Sequence, residues 1–124
     1  ADAIRGRPRS SGLGDVYKGQ AGDVPAEKVD EDDQLFAIHD INPVAPLHLL
    51  LIPRKHIATI LDFEEADSVL VAGIYRLAAR LAAENDLSDN GYRVVANCKS
   101  DGGQTVYHVH FKLLRGRAMA WAPG

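Results

Sequence analysis

Apolar and polar positions alternate in short runs along most of this chain, and one longer run follows a different period. Residues 34–40 (QLFAIHD), 47–52 (LHLLLI, broken only by His48 and stopped by Pro53) and 92–97 (YRVVAN) read as strands. Residues 26–29 predict a short strand after Pro25, followed by a charged turn at Asp30, Glu31, Asp32 and Asp33. That acidic run is read as a solvated hairpin turn in preference to a cation site. Asn42-Pro43 and Ala45-Pro46 bracket a loop, and Asp89-Asn90-Gly91 marks a turn. Between Asp62 and about Asn85 the period changes. Leu70, Ile74, Leu77 and Leu81 fall at helical spacing, with Arg76, Arg80 and Glu84 on another side. Asp62, with Glu65 three residues on, predicts the helix start. Short strands around one long helix predict an α+β layer, an antiparallel sheet with helices on one side.

Residues 1–20 depart from this pattern. Arg5, Arg7 and Arg9 alternate with small residues before Ser10, Ser11, Gly12, Leu13 and Gly14, and apolar periodicity is lacking. This segment reads as a disordered tail or a cloning or assembly remnant, with one domain over residues 21–124.

Residues 106–114 (VYHVHFKLL) carry the chemistry. Read as a strand, they place Val106, His108, His110 and Lys112 on one face and Tyr107, Val109, Phe111 and Leu113 on the other. The second set suits a core. The first is costly to bury without partners, and nitrogen-bearing side chains repeating every ~6.6 Å make a wall suited to an anion. Just upstream, Gly102 and Gly103 let the backbone approach a ligand, Gln104 and Thr105 add hydrogen-bonding side chains, and loop N–H groups can face phosphate oxygens. Two other readings compete. An isolated His-X-His pair is by default a solvated sheet face. It is also a frequent metal-ligand pair, with His48, His39 or His56 as a third donor. Lys112 beside the pair opposes a cation, and on the strand alone the metal and phosphate readings stand close to even.

Composition enters by what it excludes. The 124 residues suit one domain with one core. Fourteen basic and seventeen acidic side chains give a formal charge of -3, which argues against a nucleic-acid backbone binder. One cysteine, Cys98, permits neither an internal disulfide nor a cysteine-based zinc site. The longest apolar run is too short for a bilayer, and the N-terminus is polar and glycine-rich, unlike a signal peptide. The expectation is a cytoplasmic protein with no membrane or nucleic-acid partner.

Residues 103–114 resemble the histidine-triad (HIT) family, and look closest to its Hint branch of purine nucleoside phosphoramidases. Further motifs follow the same order: 36–43 (FAIHDINP), 45–48 (APLH), 52–57 (IPRKHI), 92–97, 100–103 (SDGG) and a tail at 119–124 (MAWAPG). The resemblance runs from about residue 23 to residue 124. It implies a five-stranded antiparallel sheet with one long and one short helix, and a homodimer whose sheets join into one. It implies that His110 attacks the α-phosphorus of a nucleotide, that the His108 carbonyl orients it, and that His48 supports the triad. Ile38 and Ile41 are implied at the base and Asp40 at the ribose hydroxyls. Asn97, Gly103, Thr105 and Val106 are implied along the phosphate path, and Trp121 near the partner subunit's site. Plainer readings stand beside these: Ile38 and Ile41 as core, Asp40 as a turn cap, Asn97 as a strand end, Trp121 as the seal of a dimer contact. His39 and His56 are read as structural.

The chain departs from the family twice. Lys112 stands at the third triad position, and residues 16–20 (VYKGQ) carry Gly19 and Gln20 where apolar residues are expected. The expected function is a hydrolase of nucleoside phosphoramidates or related mononucleotide conjugates, working without cofactor or metal through a nucleotidyl-His110, with Lys112 slowing turnover. A nucleotide-binding or regulatory domain with little turnover is the alternative, and a metal-dependent enzyme a minor third.

Overall fold

Period-two alternation produces a sheet whose two faces differ in kind. The structure, a computed structural model, describes residues 27–84 and 90–121. The expected tail at 1–20, the departure at 16–20 and the last three residues lie outside these. Five strands, β1 (Lys28–Glu31), β2 (Leu35–His39), β3 (Leu47–Pro53), β4 (Tyr92–Val95) and β5 (Phe111–Arg115), form one antiparallel sheet in the order β1-β2-β3-β5-β4. The expected α+β architecture is thus the one that forms. One face carries Leu35, Ala37, Leu49, Leu51, Phe111 and Leu113. Helix α1 (Ser68–Ala83) covers it with Ile74, Leu77, Ala78, Leu81 and Ala82. On the other face Phe36, Ile38, Leu50, Ile52 and Val106 make a smaller apolar cluster. The same alternation turns His48 on β3 and Lys112 on β5 toward that second face.

Three local expectations need correction, the first being that Asp30 and Glu31, expected in the turn, lie in β1 and pair with β2. Asp62 does not cap α1. Thr59 caps a single 3-10 turn (Ile60–Asp62), and the Asp62 carboxylate accepts from the Thr59 N–H at 3.0 Å and hydroxyl at 2.9 Å. Phe63 then turns extended and packs against the core, a second 3-10 turn (Glu65–Asp67) follows, and α1 begins only at Ser68. Burial of Phe63 outweighs the local helix signal.

The strand predicted over residues 106–114 begins only at Phe111. Upstream of it, the Val109 N–H donates to the Ile57 carbonyl at 2.6 Å, and the Pro53 carbonyl is taken by a histidine side chain. Those groups bond to side chains and to the 54–59 loop, so no ladder forms. Val109 does face the helix-side core, but Tyr107, expected there, is 42% exposed. Among the described residues no helix is long and apolar enough to cross a membrane.

Candidate active site

His110 is held by its own chain. Its Nδ1 lies 2.9 Å from the His108 carbonyl oxygen. A carbonyl only accepts, so Nδ1 carries the proton and the lone pair sits on Nε2. Burial pushes the His110 pKa down to about 4; the His108 carbonyl opposes this, and the nearby Lys112 charge adds to it. Buried and neutral at pH 7, His110 presents a bare ring nitrogen.

The His108 ring is fixed at both nitrogens. Nε2 lies 2.8 Å from the Pro53 carbonyl, and Nδ1 lies 3.3 Å from Nδ1 of His56, with the two rings edge-on. Burial lowers the His108 pKa, the Pro53 carbonyl raises it, and the neighbouring His56 ring lowers it further. His56, read from sequence as structural, is therefore a direct neighbour of the site. Sequence gives no sign of the pair, which the loop after Pro53 brings together.

Lys112 sits on β5 between Leu50 and Val95. Its ammonium donates to Asn97 Oδ1 at 2.8 Å, while Asn97 Nδ2 donates to the Gly102 carbonyl at 2.7 Å. One amide thus ties the cation to the glycine loop. Burial lowers the Lys112 pKa, and the Asp40 carboxylate opposes that shift.

The glycine loop differs from its sequence reading. The N–H groups of Gly103 and Gln104 donate to the Ser100 and Lys99 carbonyls, closing a turn on themselves. The Gln104 amide accepts from the Lys99 N–H at 2.9 Å and donates to the Ala58 and Val106 carbonyls at 2.8 and 3.1 Å. Buried Gln104 is a strut of the loop and is not available to a ligand. Gly102 is required by close packing, because a Cβ there would stand 2.4 Å from the Cys98 carbonyl oxygen.

A cavity of about 350 Å³ opens on this face of the sheet. Four of the expected residues line it: Asp40, His48, Asn97 and Lys112. The His48 Nδ1 accepts from the Val44 N–H at 3.1 Å, so its Nε2 carries the proton and makes a long, poorly aligned 3.3 Å contact with Asp40 Oδ2. The other Asp40 oxygen accepts from the Asn42 N–H at 2.8 Å. Burial lowers the His48 pKa, Asp40 raises it and Lys112 lowers it.

Arg93, Arg117 and Met119 complete this wall and were not singled out from sequence. Arg93 was legible, since it alternates with Val95, and Val95 pairs with Lys112. Arg93 donates to the Ala120 carbonyl at 2.8 Å and Arg117 to the Val44 carbonyl at 2.9 Å, which pins the tail beside the cavity.

The remaining expected residues, His108, His110 and Gly103 among them, do not line it. Ile38 and Val106 lie together in the apolar cluster on this face, Thr105 is half-buried, and Ile41 and Trp121 are 60% and 90% exposed. A larger cavity, about 540 Å³, lies between α1 and residues 32–35 and is lined by Asp32, Arg76 and Arg80. It holds no histidine and stands apart from this chemistry.

The sequence profile of the HIT domain matches residues 21–119. The chain belongs to the HIT domain family. An uncharacterized HIT-like protein of Synechococcus elongatus is 42% identical over 102 residues, which are 82% of this chain and 89% of that one. A HIT family hydrolase of Legionella pneumophila has a crystal structure that superposes with a TM-score of 0.80 at 53% identity, covering 84% of this chain and 93% of that one. A Zea mays relative named 14 kDa zinc-binding protein is 41% identical, covering 82% of this chain and 80% of that one. Zinc belongs to the name of the maize protein. Among the described residues of this HIT domain, no three His, Cys, Asp or Glu side chains stand together as a metal ion would require.

Proposed function

We propose that this HIT domain hydrolyses nucleoside phosphoramidates or related mononucleotide conjugates, as the Hint branch it resembles does. The observation that carries this reading is the buried, neutral His110, whose Nδ1–H is held by the His108 carbonyl so that Nε2 is left free to attack. Nucleophilic catalysis divides the reaction in two. His110 Nε2 forms a bond to the α-phosphorus as the bond to the leaving nitrogen breaks, and its electron pair departs with the amine, which takes a proton from the Lys112 ammonium, a proton that the water of the second step restores. Water then attacks the same phosphorus, releasing nucleoside monophosphate and restoring the imidazole. The Lys112 ammonium, held by Asn97, offers charge to the phosphate oxygens. Since Gly103 and Gln104 use their N–H groups within the loop, the charge on the phosphate oxygens falls more to Lys112 than to those two groups. The likeness to the HIT family hydrolase of Legionella pneumophila supports the reaction class.

The nucleoside monophosphate moiety is proposed to lie against Asp40 and the apolar cluster holding Ile38. The protein is proposed to act in the cytoplasm as a homodimer, with exposed Trp121 reaching the partner subunit's site. A nucleotide-binding domain without turnover is the second reading, favoured by one observation, the lysine at the third triad position. Turnover of an adenosine phosphoramidate by wild type and by His110→Ala separates them. Hydrolysis that His110→Ala abolishes supports the enzyme, and tight nucleoside monophosphate binding without hydrolysis supports the alternative.

A further inference from the structure

The arrangement of His56, His108 and His110 extends the site by one residue. His108 Nε2 faces the Pro53 carbonyl at 2.8 Å. That oxygen cannot donate, so Nε2 holds the proton and, in the neutral ring, Nδ1 is an acceptor. The group opposite Nδ1 is His56 Nδ1 at 3.3 Å, which must then donate. Both tautomers are therefore set by one carbonyl. The His108 backbone carbonyl in turn receives the Nδ1–H of His110. A ring anchored at both nitrogens holds its own main chain, and that main chain sets which nitrogen of His110 is bare. Residues 106–110 lie outside the sheet ladder, so side-chain anchors do here what strand pairing does from Phe111 onward.

We propose that His56 is a positioning residue for the nucleophile: its Nδ1–H fixes the His108 ring, and through the His108 carbonyl it keeps His110 in the tautomer with a bare Nε2. His56 itself is exposed at the rim, so it holds this contact without sealing the site. The function belongs to the Nδ1–H and to no other part of the ring. An asparagine amide can place a donor near the same point, whereas a leucine of similar bulk cannot.

The proposal rests on His110 as nucleophile, and its test separates the two. The variants His56→Asn and His56→Leu are compared with wild type by nitrogen NMR of the histidine rings, which needs no turnover, and by steady-state hydrolysis of an adenosine phosphoramidate. Wild type and His56→Asn should show one His110 tautomer, protonated at Nδ1. His56→Leu should show mixed tautomers and a kcat lowered about tenfold, with KM changed less than twofold. Circular dichroism melts identify a variant that has lost its fold, and in that case the Asn and wild-type spectra alone decide: a His110 in wild type protonated at Nε2 overturns the proposal. A single unchanged His110 tautomer and an unchanged kcat in folded His56→Leu also overturn it. If the tautomers shift as expected while His110→Ala keeps full activity, the positioning stands and the assignment of the nucleophile fails.

Discussion

His110 is neutral because it is buried, and that has a consequence for its pH profile. A histidine with the usual pKa near 6.5 would lose half its nucleophilic form at that pH. With its pKa pushed down to about 4, His110 stays neutral until the solution is far more acidic. The acid limb of kcat/KM should therefore fall near pH 4, not near 6.5, and a limb at 6.5 that persists in His48→Ala would contradict the environment described. Lys112 makes a second prediction. Burial brings its pKa down, which makes it a better acid than a free lysine, but an imidazolium remains more acidic still. Lys112→His should raise cleavage of a phosphoramidate with an alkylamine leaving group several-fold more than cleavage of an activated ester. Equal changes for both substrates would mean that Lys112 acts on the phosphate oxygens alone. At this scale His108, His110 and Lys112 stand out in the sequence because alternation gathers them on one face, and His48 because it interrupts an apolar run. His56 and Gln104 were not, because their partners at His108 and Ala58 are 52 and 46 residues away.

The strands and the helix follow from periodicity, and their errors have physical causes. Residues 106–110 largely keep the side-chain alternation of a strand while their backbone bonds elsewhere, so pattern alone extended β5 by five residues. The helix start was misplaced because Asp62 and Glu65 imitate a capping box that Thr59 and Asp62 actually form. The stripe on α1 packs on the sheet as its spacing predicts, with Leu70 partly buried and Ile74 its fully buried centre. Ile74→Ala should cost roughly 2–5 kcal/mol, transfer plus cavity. A urea midpoint shift corresponding to less than about 1 kcal/mol would show that the helix packs on the sheet less closely than described. The same substitution leaves the opposite face untouched, so activity per folded molecule should hold.

The whole molecule carries three buried histidines on one face, and all three have pKa values lowered by burial. In the unfolded chain each takes a proton near pH 6.5. As pH falls through that value the unfolded state binds protons that the folded state refuses, so stability drops, and it goes on dropping until the folded residues protonate. For His110 alone, with its folded pKa at about 4, the loss approaches about 3 kcal/mol. Urea midpoints should be lower at about pH 4.5 than at about pH 7.5, and His110→Asn should flatten the slope. Equal midpoints for wild type would contradict the burial. The central claim, that one buried neutral histidine takes the nucleotidyl group, is tested most directly by mixing the intact protein with an adenosine phosphoramidate, quenching within one turnover and weighing it by mass spectrometry. The expected result is a gain of one adenylyl group per chain, mapped to the peptide at His110 and lost in His110→Ala. Hydrolysis that proceeds with no such adduct, or with an adduct that survives His110→Ala, would contradict it.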